Sequence, residues 1–212
     1  MKIAIIGATG FVGSALLLEA VARGHEITAL VSNSSKVPAY PTVTATQADV
    51  LSQESLTEKL DGHDAVISAF SGHAQSDVLG YYVGGIRSII SATKAVGVRR
   101  LLVVGGAGTL EVAPGVQLID TPQFPAQWKA TAEGARQALT LLRNEQELDW
   151  TLLAPSAHLE PGERTGKFRI GKEQLLVDES GQSHISLPDY AVAMIDELEQ
   201  PAHSRSIFTV GY

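Results

Sequence analysis

Residues 1–13 read MKIAIIGATGFVG, an apolar run that breaks into glycines at positions 7, 10 and 13, and SALLLEAVARG follows at once over residues 14–24. Lys2 to Ile6 has the length and β-branched content of a buried parallel strand, and the next segment is an apolar helix closed by Gly24. The glycines therefore stand at a strand-to-helix joint. Such a joint aims the unpaired N–H groups of the first helical turn, and its positive dipole end, into the crevice beyond the strand, where a phosphate is the favoured occupant. Gly7 would permit the tight turn, Gly10 the close approach of a pyrophosphate, and Gly13 the packing of helix on strand. The spacing is G-x-x-G-x-x-G, and a tight turn with no ligand would also use glycines. Strand, helix and N-terminal position together favour the dinucleotide.

The chain has 212 residues, a length that suits one α/β domain over residues 1–212. Hydrophobic residues make up 44% and charged residues 18%, which excludes disorder. A net charge of −7 with no basic stripe argues against nucleic acid and against an anionic membrane surface. Cysteine is absent, which removes disulfides, thiolate catalysis and zinc–thiolate sites. No apolar run approaches the ~18 residues of a membrane-spanning helix, and the chain enters its first strand without a leader pattern. A cytoplasmic protein, monomeric or homodimeric, is expected.

A second strand is expected over His25 to Val31, and its end bears on cofactor choice. An NAD site places an acid about 20 residues beyond the glycines to hold the ribose hydroxyls. Ser32, Asn33, Ser34, Ser35 and Lys36 stand here instead. Small hydroxyls, an amide and a cation suit a ribose 2′-phosphate, so NADPH is preferred with NADH left open; the plainer reading is a solvated polar loop. Pro41 to Ala48 is a third strand, closed by Asp49 and Val50, and Ser55-x-x-Glu58 is read as a capping box for the next helix. Asp49 can accept from an adenine amino group or simply hold its loop. Asp64 to Phe70 forms a fourth strand running into Ser71-Gly72, Leu79 to Val96 a long helix, and Arg99 to Val104 a fifth strand running into Gly105-Gly106-Ala107-Gly108. Thr109 to Pro125 reads as an active-site or lid loop, Ala126 to Asn144 as a helix, and Trp150 to Ala154 as a sixth strand stopping at Pro155. This alternation predicts a Rossmann-type doubly wound, mostly parallel sheet with helices on both faces. Residues 155–189 and the C-terminus form a small substrate-side region. It has extended segments at Thr165–Arg169, Gln174–Asp178 and His184–Ser186, a capping pattern Ser186-x-x-Asp189, a helix Tyr190–Glu199 and a last strand Ser206–Val210.

The chemistry available is narrow. A Tyr-x-x-x-Lys pair, in which the lysine lowers the tyrosine pKa for proton exchange with an alcohol or ketone, is missing. Thr44, Gly85, Ile86 and Met194 stand four places after Tyr40, Tyr81, Tyr82 and Tyr190, and Tyr212 is last. Ordinary alcohol chemistry and sugar epimerisation are thereby disfavoured. His25, His63, His73, His158, His184 and His203 are scattered, so no metal site is expected. No G-x-S-x-G elbow is present either. What remains is hydride transfer to an acceptor that delocalises its own charge, such as a flavin or a conjugated tetrapyrrole.

GATGFVGSALLLEAVARGHEITALV, ADVLSQESLTEKLDGHDAVIS, LLVVGGAG, LDWTLLAPS and above all RTGKFRIGKEQLLVDESGQSHISLPDYAVAMIDELEQP with the closing FTVGY resemble a known family. It is that of the atypical short-chain dehydrogenases of NADH-flavin reductase-like type, relatives of biliverdin reductase B and of NmrA-like NAD(P)-binding proteins. The resemblance runs the whole length. It implies a cofactor held at Gly7, Thr9, Gly10, Phe11, Val12 and Gly13, with adenine near Asp49 and Val50 and nicotinamide near Ala69, Phe70, Gly106 and Pro155. FMN or FAD enters as a substrate in this picture. His158 matches a histidine lining the flavin reductase pocket, with Thr165-Gly166 matching downstream; a loop histidine bonded to backbone is the alternative. Many relatives carry arginine where Ser32 stands. They also carry a serine just after the fifth strand, where this chain has Gly106, Ala107 and Gly108, so Thr109 is the nearest hydroxyl and no catalytic serine is assigned. Lys129, in QWKATAEG, approaches the cofactor or stays solvated. The resulting expectation is an NAD(P)H-dependent reductase of a small flavin-like or quinone acceptor; the alternative is a non-catalytic NAD(P) sensor like NmrA.

Overall fold

The computed structural model describes residues 1–212, with every side chain except that of Ala74. Strand β1 (Lys2–Ile6) is apolar throughout because both its faces are covered: Ala4 and Ile6 enter one hydrophobic core, Ile3 and Ile5 the other. The chain continues through α1 (Phe11–Ala22), β2 (Glu26–Val31), β3 (Val43–Gln47), α2 (Gln53–Leu60), β4 (Ala65–Ser68), α3 (Val78–Ala95) and β5 (Arg100–Val104). A short antiparallel pair, β6 (Glu111–Ala113) and β7 (Val116–Gln117), precedes α4 (Lys129–Arg143) and β8 (Asp149–Ala154). The last part holds β9 (His158–Glu160), β10 (Arg169–Gly171), β11 (His184–Ser186), α5 (Leu187–Glu199) and β12 (Ser206–Gly211).

The main sheet has the order β10-β12-β8-β5-β4-β1-β2-β3, parallel except for β10 against β12. Leu56 and Leu60 of α2, Ile86 and Ile89 of α3, and Leu139 and Leu142 of α4 fill the core on one face. Leu16 and Leu17 of α1, with Tyr190, Met194 and Ile195 of α5, fill the other. This is the expected Rossmann-type fold. The chain leaves β1 for α1 on one face and β4 for α3 on the opposite face, so a crevice opens beyond the carboxyl ends of these neighbouring strands.

Several boundaries differ from the sequence reading. Helix α2 is capped by Ser52, whose Oγ accepts from the Ser55 N–H at 3.3 Å, so Ser55-x-x-Glu58 lies inside the helix. Thr109–Pro125 is less a loop than a built wall, holding β6 and β7 and pinned by buried Leu110 and Ile119. Thr165–Arg169 is not a strand. Asp189, wholly buried in the first turn of α5, accepts from the N–H groups of Thr165 and Gly166 at 2.8 Å each, and Gly166 has φ +65°. Those bonds fold the segment into a turn, and pairing starts only at Arg169. Gln174–Asp178 likewise contributes a single bridge, Gln174 to Glu111.

Ser186 caps α5, accepting from the Asp189 N–H at 3.2 Å, but the rest of the capping box is rerouted. The Asp189 carboxylate accepts from Thr165 and from the Tyr212 hydroxyl at 2.7 Å, and the Ser186 N–H donates to that same hydroxyl at 3.3 Å. Tyr212 thus completes the helix cap, and Asp189 clamps residues 163–168 to the core.

Candidate functional site

The glycine turn has no room for side chains. Gly7 has φ +83°, and a Cβ there would stand 2.7 Å from the Ala69 carbonyl oxygen. A Cβ on Gly13 would stand 2.0 Å from the Gly7 carbonyl oxygen. Gly10 is the N-cap of α1 and provides no side-chain bond; the helical ladder begins with Ser14 N–H donating to the Gly10 carbonyl at 2.9 Å. The N–H groups of Phe11, Val12 and Gly13 are therefore free of helical partners, as an anion site requires, and Gly10, Phe11 and Val12 stand at the cavity wall.

Next to this turn lies a cavity of about 730 Å³. Gly10, Phe11 and Val12 form one side of it, and Ala69 to His73 follow from the end of β4. Val104 to Gly108 follow from the end of β5, and Leu118, Thr121, Gln123, Phe124 and Pro125 of the wall segment close it, with Trp128 just ahead of α4. Val78 and Tyr82 of α3, Thr131, Ala132 and Ala135 of α4, and Ala157 to Glu160 complete it. Small residues after β5 leave the floor low: a Cβ on Gly106 would already meet Ala135 Cβ at 3.2 Å. Aromatic groups supply much of the rest. Phe70 stacks on Tyr82 with ring centroids 5.7 Å apart, and the His73 ring meets Trp128 edge-on at 6.1 Å. Phe11 and Trp128 are half exposed at the mouth, at 55% and 50%. The Tyr82 phenol is held well above its ordinary pKa by burial and so stays protonated.

A family model described as NAD(P)H-binding matches residues 7–201, nearly all of this architecture. The chain belongs to this NAD(P)H-binding family. Among curated proteins, the uncharacterised YwnB of Bacillus subtilis is 43% identical over 99% of this chain and 98% of its own. A Bacteroides thetaiotaomicron structure, provisionally called an epimerase, is 44% identical with TM-score 0.93, covering 100% of this chain and 96% of that one. A Streptococcus pneumoniae structure, provisionally called an NADH-flavin reductase, is 36% identical with TM-score 0.87 over 100% and 99% of the two chains. The protein is thus an NAD(P)H-binding Rossmann protein of the atypical short-chain dehydrogenase kind.

The cradle fits that family's dinucleotide, since Gly7 and Gly13 keep the turn tight and the first-turn N–H groups are available to a diphosphate. Of the residues singled out from the sequence, Gly10, Phe11, Val12, Ala69, Phe70, Gly106 and His158 share the cavity wall. Thr9 is exposed on the turn. Ser32, Asn33 and Lys36 stand exposed at the end of β2, outside the cavity; the Asn33 carboxamide oxygen already accepts from the Ser35 N–H at 3.0 Å and hydroxyl at 2.7 Å. Asp49 is exposed and holds its loop, accepting from Leu51 N–H at 3.0 Å, while Val50 is buried in the core. Pro155 is buried behind the wall that Ala157 and His158 form.

His158 is exposed on β9 and its N–H donates to the Ser183 carbonyl at 2.9 Å, which leaves the ring to the cavity. Thr109 is buried and its hydroxyl donates to the Gly106 carbonyl at 2.8 Å, turned away from the cavity. Lys129 is exposed at the start of α4 and lies outside the wall. Sequence reasoning passed over Tyr82, Phe124, Trp128 and Glu160. No period or motif marks them, because each reaches the cavity only through docking of α3, of the wall segment or of β9. Among the described residues no group of histidines and carboxylates could hold a metal ion, and no helix is long and apolar enough to cross a membrane.

Proposed function

We propose that this protein is an NADPH-dependent reductase of a planar conjugated acceptor, a flavin or quinone, working without a Tyr–Lys pair. One observation carries the reading: Gly10, Phe11 and Val12 belong at once to the phosphate-binding turn and to the wall of an aromatic-lined cavity. When bound, NADPH supplies a hydride and leaves as NADP⁺, and the acceptor takes one further proton from water. The first-turn N–H groups of α1 would hold the diphosphate, and the low floor at Gly105 and Gly106 leaves space for flat rings. Phe11, Trp128 and Phe124 hold the acceptor by stacking and keep water off the site. Lys36, exposed beyond β2, is the cation available to a 2′-phosphate, and a cytoplasmic setting that supplies NADPH belongs with this reading.

The test has two steps: NADPH and NADH affinities by titration, then NADPH oxidation with riboflavin, FMN and a benzoquinone. NADPH binding tighter than NADH, reduced toward parity by Lys36→Ala, and turnover with at least one acceptor are expected. Tight binding with no turnover would assign the non-catalytic sensor role instead.

A further inference from the structure

We infer that the acceptor cavity selects an uncharged planar molecule, a quinone or a phosphate-free flavin, and rejects phosphorylated flavins such as FMN. The inference rests on the reductase reading above and narrows its substrate class.

The charge of the wall decides it. Among the described residues lining the cavity there is no lysine and no arginine; Glu160 on β9 is the carboxylate present, and His73 and His158 are the imidazoles, which mildly alkaline pH keeps from supplying a positive charge. The nearby cations are placed elsewhere. Lys129 is exposed outside the wall. Arg136, on the helix whose Ala132 and Ala135 line the cavity, pairs with Asp120 at 2.8 Å and with Glu133. Arg164 is bound to Glu19 at 2.8 Å. Whatever enters must therefore give up part of its hydration against a largely aromatic and small apolar wall with a few neutral polar groups, Ser71, Thr121, Gln123 and Thr131 among them, with a carboxylate at one side and no fixed cation. A flat neutral ring loses little by this and gains stacking on Phe11, Phe124 and Trp128. A phosphate loses its water, meets Glu160, and meets also the negative charge that a bound dinucleotide brings to the adjoining end of α1. The chain's net charge of −7 adds to the repulsion at long range.

Riboflavin and FMN provide the test, because they share one ring system and differ by the phosphate. Their binding to the NADP⁺-loaded protein is measured by flavin fluorescence quenching at mildly alkaline pH and low salt, which needs no turnover. Riboflavin is expected to bind about tenfold more tightly than FMN, with the ratio shrinking as salt screens the repulsion. Glu160→Gln should shrink the ratio in the same direction, and the salt titration keeps the test valid should that variant misfold. Equal affinities or tighter FMN overturns the inference, as does failure of riboflavin and of a neutral benzoquinone alike to bind the NADP⁺-loaded protein. Selective riboflavin binding without NADPH oxidation would uphold it while removing the reductase reading, so the two fail separately.

Discussion

Gly13 and Gly10 divide the work of the turn, and substitution should separate them. A Cβ on Gly13 would lie 2.0 Å from the Gly7 carbonyl oxygen, a backbone atom that cannot swing aside. Gly13→Ala must push α1 away from β1, at a cost of roughly 1–3 kcal/mol of stability, and should abolish measurable NADPH binding. At Gly10 the clearance to the same oxygen is 3.3 Å, so an alanine fits with a small adjustment but stands where a diphosphate would approach. Gly10→Ala should therefore leave Tm nearly unchanged while weakening NADPH about tenfold. Gly24 is the control. It has φ +77° and open space around its Cβ direction, so Gly24→Ala should cost about 1 kcal/mol through backbone strain with no change in affinity. Thermal melts beside cofactor titrations read all three. If Gly10→Ala lowers Tm as far as Gly13→Ala does, the diphosphate role assigned to Gly10 is wrong.

At the scale of elements, α5 is fastened to the sheet by charge as well as by packing. Arg100 starts β5 and donates to Glu197 Oε1 at 2.8 Å, to the Glu197 carbonyl at 3.0 Å and to Thr151 Oγ1 at 2.8 Å. The two side chains are 9% and 3% exposed, so neither charge has water to fall back on. Glu197 also keeps His203 at 2.8 Å, so the coupling is partial: Arg100→Leu or Glu197→Leu alone should cost about 3–5 kcal/mol, and the double change clearly less than the sum. Additive losses in urea melts would mean that the pair is not coupled. The sequence could not show this fastening, since Arg99-Arg100 reads only as the polar start of a strand. Strands β1, β2, β4, β5, β8 and β12 were legible because burial on both faces makes them largely apolar runs; β3, largely exposed at the sheet edge, is not such a run and shows only β-branched residues between turn residues. β6, β7, β9 and β10 were not, since two or three residues carry no period and their places are set by distant bonds. Glu111 N–H donating to Glu173 at 2.8 Å and Leu175 N–H donating to Glu111 at 2.9 Å are examples. For the same reason the backbone half of the site could be read from glycines and strand ends. Tyr82, which enters it from the face of α3, and Trp128, which enters it from the turn just ahead of α4, could not.

Across the whole molecule, the carboxyls held below their ordinary range sit largely on one side. On α1, Glu19 is lowered chiefly by the hydrogen bonds of Arg164, against burial, with Arg23 adding to it. On α5, burial alone would raise Glu197 and Asp189, yet hydrogen bonds overcome it, from His203 and Arg100 in one case and from Thr165, Gly166 and Tyr212 in the other. A carboxyl lowered in the folded state binds its proton more readily once unfolded. Its contribution is therefore complete above the unfolded value of about 4 and is lost as pH falls through the folded value. Stability should be flat from neutrality down to about pH 5 and fall below about pH 4. Because these groups join α1, α5 and residues 163–168, acid should loosen that layer first, while the β1-β2-β3 edge and α2 hold. Hydrogen exchange at about pH 3 against pH 7 reads this directly, with earlier loss of protection expected in residues 163–168 and in α5. Asp189→Asn should produce the same local pattern at neutral pH, because it removes the charge that gathers Thr165, Gly166 and Tyr212. Uniform acid loss of protection across both faces of the sheet, or an Asp189→Asn variant protected like the parent at residues 163–168, would show that the acid response is a property of the whole core and not of this clamp.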